Sequence, residues 1–137
     1  MGSEQRSIMN NYKILVVDDV PINNLLVEKM LAHFKFNMRT ATNGKECMDA
    51  VEEEKPNLIL LDLMMPIMDG FEVLKEIKSN PDLADIKIVV LSALNTNEDI
   101  VKAYNMGAND FITKPIILEK LVNSVSNRLK IKGLAEK

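Results

Sequence analysis

Tryptophan is absent from this sequence, and histidine and cysteine each occur once among its 137 residues. The one thiol, Cys47, excludes an internal disulfide bond and a cysteine-based zinc site. Its place on an apolar helical stripe favours a packing role. A single cysteine also favours a reducing compartment, so we expect a cytoplasmic protein. The one histidine, His33, is interpreted as a surface residue rather than as a metal ligand or a phosphohistidine.

The sequence also lacks an excess of positive charge and a long apolar run. It has 17 basic and 20 acidic residues, and the net charge of −3 argues against a general nucleic-acid binder. No apolar run approaches the roughly 20 residues that cross a bilayer, and the N-terminus has no apolar signal block. We therefore expect no membrane insertion and no direct contact with nucleic acid.

Short apolar runs alternate with segments of helical periodicity along the chain. The predicted strands are residues 14–17, 36–41, 58–61, 86–91 and 111–112. Short β-branched runs of this kind are typical of buried parallel strands, which need helical crossover connections. The alternation therefore predicts an α/β domain over residues 12–130, in which helices cover both faces of a parallel sheet. Residues 1–11 are expected to be a disordered leader, and residues 131–137 a polar tail.

Each predicted helix carries an apolar stripe. The stripes most relevant below are those of the first helix (Ile22, Leu25, Leu26 and Met30), the second helix (Cys47, Ala50 and Val51) and the fourth helix (Ile100, Val101 and Tyr104). The stripe of the second helix is expected to face inward.

Polar side chains follow four of the five predicted strands. Asp18 and Asp19 follow the first strand, Asp62 the third, Ser92 the fourth and Lys114 the fifth. Ligands of such sheets bind beyond the carboxyl ends of the strands, so these residues are expected at one rim. Each residue alone has an ordinary explanation, such as a helix cap, a turn or a solvated lysine. Their joint placement favours a functional site.

The residue types at this rim suit phosphoryl transfer. Three carboxylates repel one another, and a hard divalent cation such as Mg²⁺ relieves that repulsion. Lys114 offers a positive charge and Ser92 a hydroxyl donor for phosphoryl oxygens. A metal ion, a lysine and a hydroxyl group around one carboxylate are the parts of a site in which charge neutralisation carries most of the catalysis.

Four segments resemble the receiver domain of two-component response regulators, the CheY-like family. They are VVDD (16–19), LILLDLMMPIMDG (58–70), LSA (91–93) and FITKP (111–115). The resemblance extends over residues 12–129. It implies a flavodoxin-like (βα)5 doubly wound fold with the strand order 2-1-3-4-5, and a cis peptide bond between Lys114 and Pro115.

The resemblance also implies the chemistry. Asp62 would be the phosphoacceptor of a phosphorelay and would receive its phosphoryl group from a histidine kinase or a histidine phosphotransfer protein. Mg²⁺ would be held by Asp18, Asp19, Asp62 and the backbone carbonyl of Met64, with Asp18 acting mostly through a metal-bound water. An output domain or a target protein is a further expected partner, and the domain is expected to be a monomer or a phosphorylation-dependent dimer.

The resemblance implies that Ser92 and Phe111 form the switch, and that Ser92 and Lys114 contact the phosphoryl group. Ser92 would move toward the phosphoryl group, Lys114 would pair with it, and Phe111 would turn inward and alter the face of the fourth helix, fifth strand and fifth helix. Phe111 stands where many relatives have tyrosine. Met64 and Leu94 stand where many relatives have polar groups, which predicts a long-lived phosphoryl group.

Three alternatives remain beside this interpretation. A Mg²⁺-dependent phosphatase with an aspartyl nucleophile usually has a second Asp two residues later, where this chain has Met64. A flavodoxin-like nucleotide binder would have a Ser/Thr/Gly-rich turn after the first strand, where this chain has Asp-Asp-Val-Pro. A degenerate receiver would lack some of the required groups. We therefore expect a signalling switch that catalyses only its own phosphorylation and dephosphorylation, not a metabolic enzyme.

Overall fold

Five parallel strands form one sheet in the order β2-β1-β3-β4-β5, which confirms the predicted fold class and strand order. The computed structural model describes residues 11–131, so the predicted leader and tail lie outside the described residues except for Asn11 and Ile131. The strands are β1 (Lys13–Val17), β2 (Asn37–Ala41), β3 (Leu58–Leu61), β4 (Lys87–Ser92) and β5 (Asp110–Thr113).

The connections between successive strands are helical. The helices are α1 (Pro21–Leu31), α2 (Gly44–Glu53), α3 (Gly70–Ser79), α4 (Asn97–Asn105) and α5 (Leu118–Leu129), and a short 3-10 helix, Ala32–Phe34, follows α1. Lys35, in the left-handed conformation, ends that turn. Phe36 therefore precedes β2 instead of opening it as the sequence predicted.

Both faces of the sheet are buried. Leu15, Ile59 and Leu61 point toward one core layer, which also holds the apolar residues of α2, α3 and α4. Leu58 and Leu60 point toward the other layer, which is filled by residues of α1 and α5. The alternation of side chains along each strand explains why these runs are apolar throughout.

Most of the apolar stripe of α1 faces solvent, and of its four residues Met30 alone packs against the core. Ile22, Leu25 and Leu26 are exposed, and the buried residues of α1 are Asn24, Val27 and Leu31. The amide of Asn24 donates hydrogen bonds to the carbonyls of Asp18 and Ala41, and this turns its side of the helix toward the sheet. Helical periodicity locates an apolar stripe, but it does not say which surface the stripe contacts.

The apolar stripe of α4 is also largely exposed, with Ile100 half-buried. Val101 and Tyr104 are exposed, and Ala103 is the buried residue of this helix. The stripe of α2 is oriented as predicted, because Cys47 and Val51 are buried.

The loop after β3 is held close to the sheet. Asp69 caps α3 and forms a reciprocal capping box with Glu72. A Cβ at Gly70 would overlap the carbonyl oxygen of Asp62, so only glycine permits this approach of α3 to the end of β3. The start of α3 is thereby packed against the residue that follows β3.

Candidate functional site

The acidic residues that follow β1 and β3 meet at one edge of the sheet. β1 and β3 are neighbours, with Val17 in register with Leu61. The ladder continues one residue further, because the Asp62 backbone N–H donates to the carbonyl of Val17 at 2.9 Å. One carboxylate oxygen from each of Asp18, Asp19 and Asp62 lies within 4.8 Å of the others.

Two of these carboxylates are removed from solvent. Asp18 is 6% exposed and Asp62 is 7% exposed, whereas Asp19 is exposed. Burial raises the pKa of Asp62, Lys114 opposes that rise, and the negative charge of Asp18 adds to it. The backbone N–H of Met64 donates to Asp62 Oδ1 at 3.4 Å. Lys114 and the Met64 N–H therefore offset only part of the cost of burying these negative charges.

Lys114 is the cation of the site. Its Nζ lies 2.6 Å from Asp18 Oδ2 and 3.7 Å from Asp62 Oδ2. Its backbone N–H donates to the carbonyl of Ser92 at 2.9 Å, and the Lys114–Pro115 peptide bond is cis. Lys114 therefore contacts both buried carboxylates, and its closer partner is Asp18.

Ser92 and Phe111 lie on the strands beside the carboxylates. Ser92 is fully buried at the end of β4, the neighbour of β3, and its Oγ accepts a hydrogen bond from the Leu94 N–H at 3.1 Å. Phe111 is half-buried in β5 and packs against the core layer of α2, α3 and α4, as does Leu94. All four polar strand ends singled out in the sequence thus reach one rim.

Donor type and burial at this rim fit a hard divalent cation. Mg²⁺ prefers oxygen ligands and commonly uses one or two carboxylates. The carboxylates of Asp18, Asp19 and Asp62 supply them. Burial, with a smaller contribution from the charge of Asp18, raises the pKa of Asp62, and a cation would favour its ionised form. The carbonyl of Met64 belongs to the loop directly after Asp62 and is a candidate fourth donor.

Two groups at this rim were not part of the predicted site. The side-chain amide of Asn23 lies 3.3 Å from both carboxylate oxygens of Asp18, and the Val20 N–H donates to Asp18 Oδ1 at 2.9 Å. Asn23 stands four residues after Asp19, and this spacing alone does not identify it as a site residue. The backbone contact of Val20 leaves no sequence signal.

A mainly apolar cavity opens beside the rim. It has a volume of about 300 Å³ and lies between α1 and the segment that leads from β5 into α5. Asp18, Asp62 and Lys114 contribute its polar end, and residues such as Leu26 and Ile116 contribute its apolar walls. The polar end of this cavity is therefore formed by residues of the carboxylate rim.

Comparison with known proteins identifies the family. A family model described as the response regulator receiver domain matches residues 14–126. The chain belongs to the receiver domains of response regulators. This receiver domain is 39% identical over 104 residues to the response regulator PleD of Caulobacter vibrioides, and the match covers 76% of this chain and 23% of PleD. It is 32% identical to the DNA-binding dual master transcriptional regulator RpaA of Synechocystis sp., over 86% of this chain and 49% of RpaA.

Solved structures place the receiver domain in the same family. The signal receiver domain of a signal transduction histidine kinase from Syntrophus aciditrophicus superposes with a TM-score of 0.81 at 32% identity, over 89% of this chain and 93% of that chain. A two-component response regulator from Clostridium difficile gives a TM-score of 0.82 at 26% identity, over 90% and 99% of the two chains. PleD and RpaA are longer, and this chain spans less than two thirds of either.

Among the described residues, no helix is both long enough and apolar enough to cross a membrane.

Proposed function

We propose that this receiver domain accepts a phosphoryl group on Asp62 from the phosphohistidine of a histidine kinase or a histidine phosphotransfer protein. An Asp62 oxygen attacks phosphorus, the P–N bond to the imidazole breaks, and the histidine leaves with the bonding electron pair and takes up a proton. The observation that carries the proposal is the buried Asp62 carboxylate, with Asp18 and Asp19 beside it and the Lys114 ammonium group 3.7 Å away.

Mg²⁺, held by Asp18, Asp19, Asp62 and the Met64 carbonyl, would neutralise charge between the carboxylates and the phosphoryl oxygens. Lys114 would shift from Asp18 to a phosphoryl oxygen, a movement of an already adjacent flexible side chain. Ser92 would donate its hydroxyl group to a second phosphoryl oxygen.

We propose that Ser92 and Phe111 transmit the change to the surface of α4, β5 and α5. Ser92 and Phe111 lie on adjacent strands, since β4 pairs with β5 and Val90 is in register with Phe111. The half-buried ring of Phe111 has Leu94 and Met106 in the same core layer. Phosphorylation would shift an equilibrium between two arrangements of this surface that already exists.

The surface around the rim supports a protein phosphodonor rather than only a small molecule. Ile22, Leu25 and Leu26 are exposed on α1, and Ile117 and Leu118 are exposed at the start of α5. These side chains belong to the two segments that border the cavity, and an exposed apolar patch of this kind can mark a protein interaction site. The phosphodonor would cover this patch while its phosphohistidine reaches Asp62.

The proposal treats residues 12–130 as one cytoplasmic signalling unit, not a metabolic enzyme. A target protein or an output domain would recognise the phosphorylated form. The receiver domain itself would be a monomer or a phosphorylation-dependent dimer. Met64 is 59% exposed at the second position after Asp62, where an aspartyl phosphatase would need an acid, and this disfavours the phosphatase alternative. The acidic residues, Ser92 and Lys114 are all present at the rim, and this disfavours a degenerate receiver.

The test is the intact mass of the protein after incubation with acetyl phosphate and Mg²⁺. We expect a phosphoryl-sized mass increase that requires both the metal and Asp62, and that is lost in Asp62→Asn. The matched control is Asp69→Asn, which changes an acid of the same loop but keeps a good helix cap. The proposal would be contradicted if neither acetyl phosphate nor a phosphorylated histidine protein increased the mass. It would also be contradicted if Asp62→Asn still showed the increase.

A further inference from the structure

We infer that Asn23 is a positioning residue that holds the Asp18 carboxylate in the orientation used by the metal site. The inference rests on the proposed function, since it concerns how one metal-binding group is kept in place. Its basis is the contact of Asn23 Nδ2 with both Asp18 oxygens at 3.3 Å. Such a shared contact restrains rotation of the carboxylate about its terminal bond.

The backbone of Asp18 is already fixed by other groups. Its N–H donates to the carbonyl of Ala41 at 3.2 Å, and its carbonyl accepts from the buried amide of Asn24 at 3.0 Å. Only the side-chain torsions of Asp18 remain to be set. The donors that set them are the Val20 N–H, Lys114 and Asn23.

These three donors are not equivalent. Lys114 neutralises Asp18 and competes with a cation for Oδ2, and the proposed transfer of Lys114 to a phosphoryl oxygen would remove it from Asp18. Asn23 is neutral, so it orients the carboxylate without cancelling the charge that attracts a cation. The Val20 N–H reaches only Oδ1. Asn23 is therefore the side chain that would keep Asp18 oriented in the phosphorylated protein.

The location of Asn23 suits this role. It lies in the first turn of α1, so its backbone is held by the helix, and its side chain lines the cavity beside the rim. Within the described residues its amide donates to no group other than Asp18. Groups that orient a metal-binding side chain typically contribute about 10- to 100-fold to metal affinity. Because Asn23 is half-buried and its contacts are long, we expect about the lower of these values.

The test is Mg²⁺ binding to the unphosphorylated protein, measured by titration calorimetry. We expect Asn23→Ala to weaken binding about 10-fold. Asn23→Leu, which keeps the volume but has no donor, should behave like Asn23→Ala, and Asn23→Gln, which keeps the donor, should recover part of the affinity. Asn105→Ala is the matched control, because Asn105 is an exposed helical asparagine on α4. In phosphorylation assays, Asn23→Ala should raise the half-saturating Mg²⁺ concentration more than it lowers the maximal rate.

A double-mutant cycle separates an orienting role from a general structural role. In an Asp18→Asn background, Asn23→Ala should cause no further loss of Mg²⁺ affinity, since the group that it orients has changed. The role of Asn23 would be overturned if Asn23→Ala lowered the Mg²⁺ affinity equally in both backgrounds. It would also be overturned if Asn23→Ala, Asn23→Leu and Asn23→Gln all left the Mg²⁺ affinity unchanged. Either result would leave the metal site itself in place. Absence of Mg²⁺ binding by the unmodified protein would overturn the metal site itself, and the role of Asn23 with it.

Discussion

The Lys114 ammonium group lies 2.6 Å from the carboxylate of Asp18 but 3.7 Å from that of Asp62. The lysine therefore offsets charge mainly at Asp18, while burial still raises the pKa of Asp62. An incoming cation at the rim would meet Lys114 as a competitor for Asp18. Lys114 and a metal ion bound at this rim would therefore be alternative sources of positive charge for the same buried carboxylates.

The first prediction concerns the loss of that lysine. Lys114→Met should lower the free energy of unfolding in metal-free buffer by about 1–3 kcal/mol, between the values for exposed and buried ion pairs. Mg²⁺ should restore part of this loss, because it takes over the neutralisation. Denaturant unfolding with chelator and with Mg²⁺ measures both effects. The control is Lys55→Met, which breaks an exposed 2.7 Å pair with Asp85 and should cost clearly less stability than Lys114→Met. Equal losses in the two variants would contradict this prediction.

The second prediction concerns pH. Because the pKa of Asp62 is raised in the folded protein, the unfolded chain releases this proton at a lower pH than the folded chain does. As pH rises from the ordinary carboxyl pKa through the raised value, the ionised Asp62 costs the folded state stability. Metal-free Asp62→Asn should therefore gain stability over the unmodified protein with rising pH, measured by denaturant unfolding at several pH values.

A control of opposite sign is available at Asp85. The hydrogen bond from Lys55 lowers the pKa of Asp85, so that carboxylate contributes stability above its ordinary pKa and loses it as pH falls. Asp85→Asn should therefore lose stability relative to the unmodified protein as pH rises. If the stability difference from the unmodified protein changed with pH in the same direction for both variants, the raised pKa of Asp62 would not explain the effect.

The third prediction concerns the attachment of α4. Asp110 Oδ1 accepts from the Tyr104 hydroxyl at 3.2 Å and from the Phe111 N–H at 2.8 Å, and its Oδ2 accepts from the Ser124 hydroxyl at 2.5 Å. One carboxylate thus joins α4, β5 and α5, and α4 otherwise buries only Ala103. Asp110→Ala should lower the unfolding free energy by about 1–3 kcal/mol and speed amide hydrogen exchange in α4 more than in α3.

The matched pair for this prediction is Tyr104→Phe and Tyr12→Phe. Tyr104→Phe should cost about 1 kcal/mol, because it removes the bond to Asp110. The Tyr12 hydroxyl makes no hydrogen bond among the described residues, so Tyr12→Phe should be near neutral. Unchanged exchange in α4 of Asp110→Ala would mean that packing alone holds the helix.

The fourth prediction concerns the lifetime of the phosphoryl group on Asp62. Exposed Met64 and half-buried Leu94 flank the rim and cannot orient an attacking water by hydrogen bonding. Met64→Asn should shorten the lifetime, followed by intact mass after removal of the phosphodonor. Ile67→Asn, an exposed change in the same loop, should leave it unchanged. A lifetime of seconds in the unmodified domain would contradict the prediction.

The fifth prediction concerns strain in the loop after Asp62. Ile67 has φ 71°, an unfavourable value for a β-branched residue, and it is 77% exposed. Ile67→Gly should raise the unfolding free energy by about 1 kcal/mol, since it removes strain and little packing. Ile22→Gly, also at an exposed isoleucine but inside α1, should lower it by about 1 kcal/mol. A loss of stability in Ile67→Gly would mean that the side chain packs more than its exposure indicates.

The polar residues at the strand ends could be predicted from the sequence, because an apolar run and the residue that follows it are both local patterns. A short apolar run that ends in an acid identifies a strand and the residue after it, and parallel strands bring all such residues to one edge. Asp18, Asp62 and Lys114 needed no tertiary information beyond the alternation of strands and helices. The strand order required the resemblance to a known family.

The contacts within the rim were not predictable in this way. The closer pairing of Lys114 with Asp18 depends on distances between separate strand ends, which the sequence does not encode locally. The contact of Asn23 with Asp18 depends on how α1 is rotated, and that rotation also exposes Ile22 and buries Asn24. The sequence by itself determined the elements, their alternation and the edge at which chemistry gathers, because periodicity and strand ends are local properties. Only the tertiary structure decided which helix faces are buried and which charges pair, because both result from the packing of residues distant in sequence.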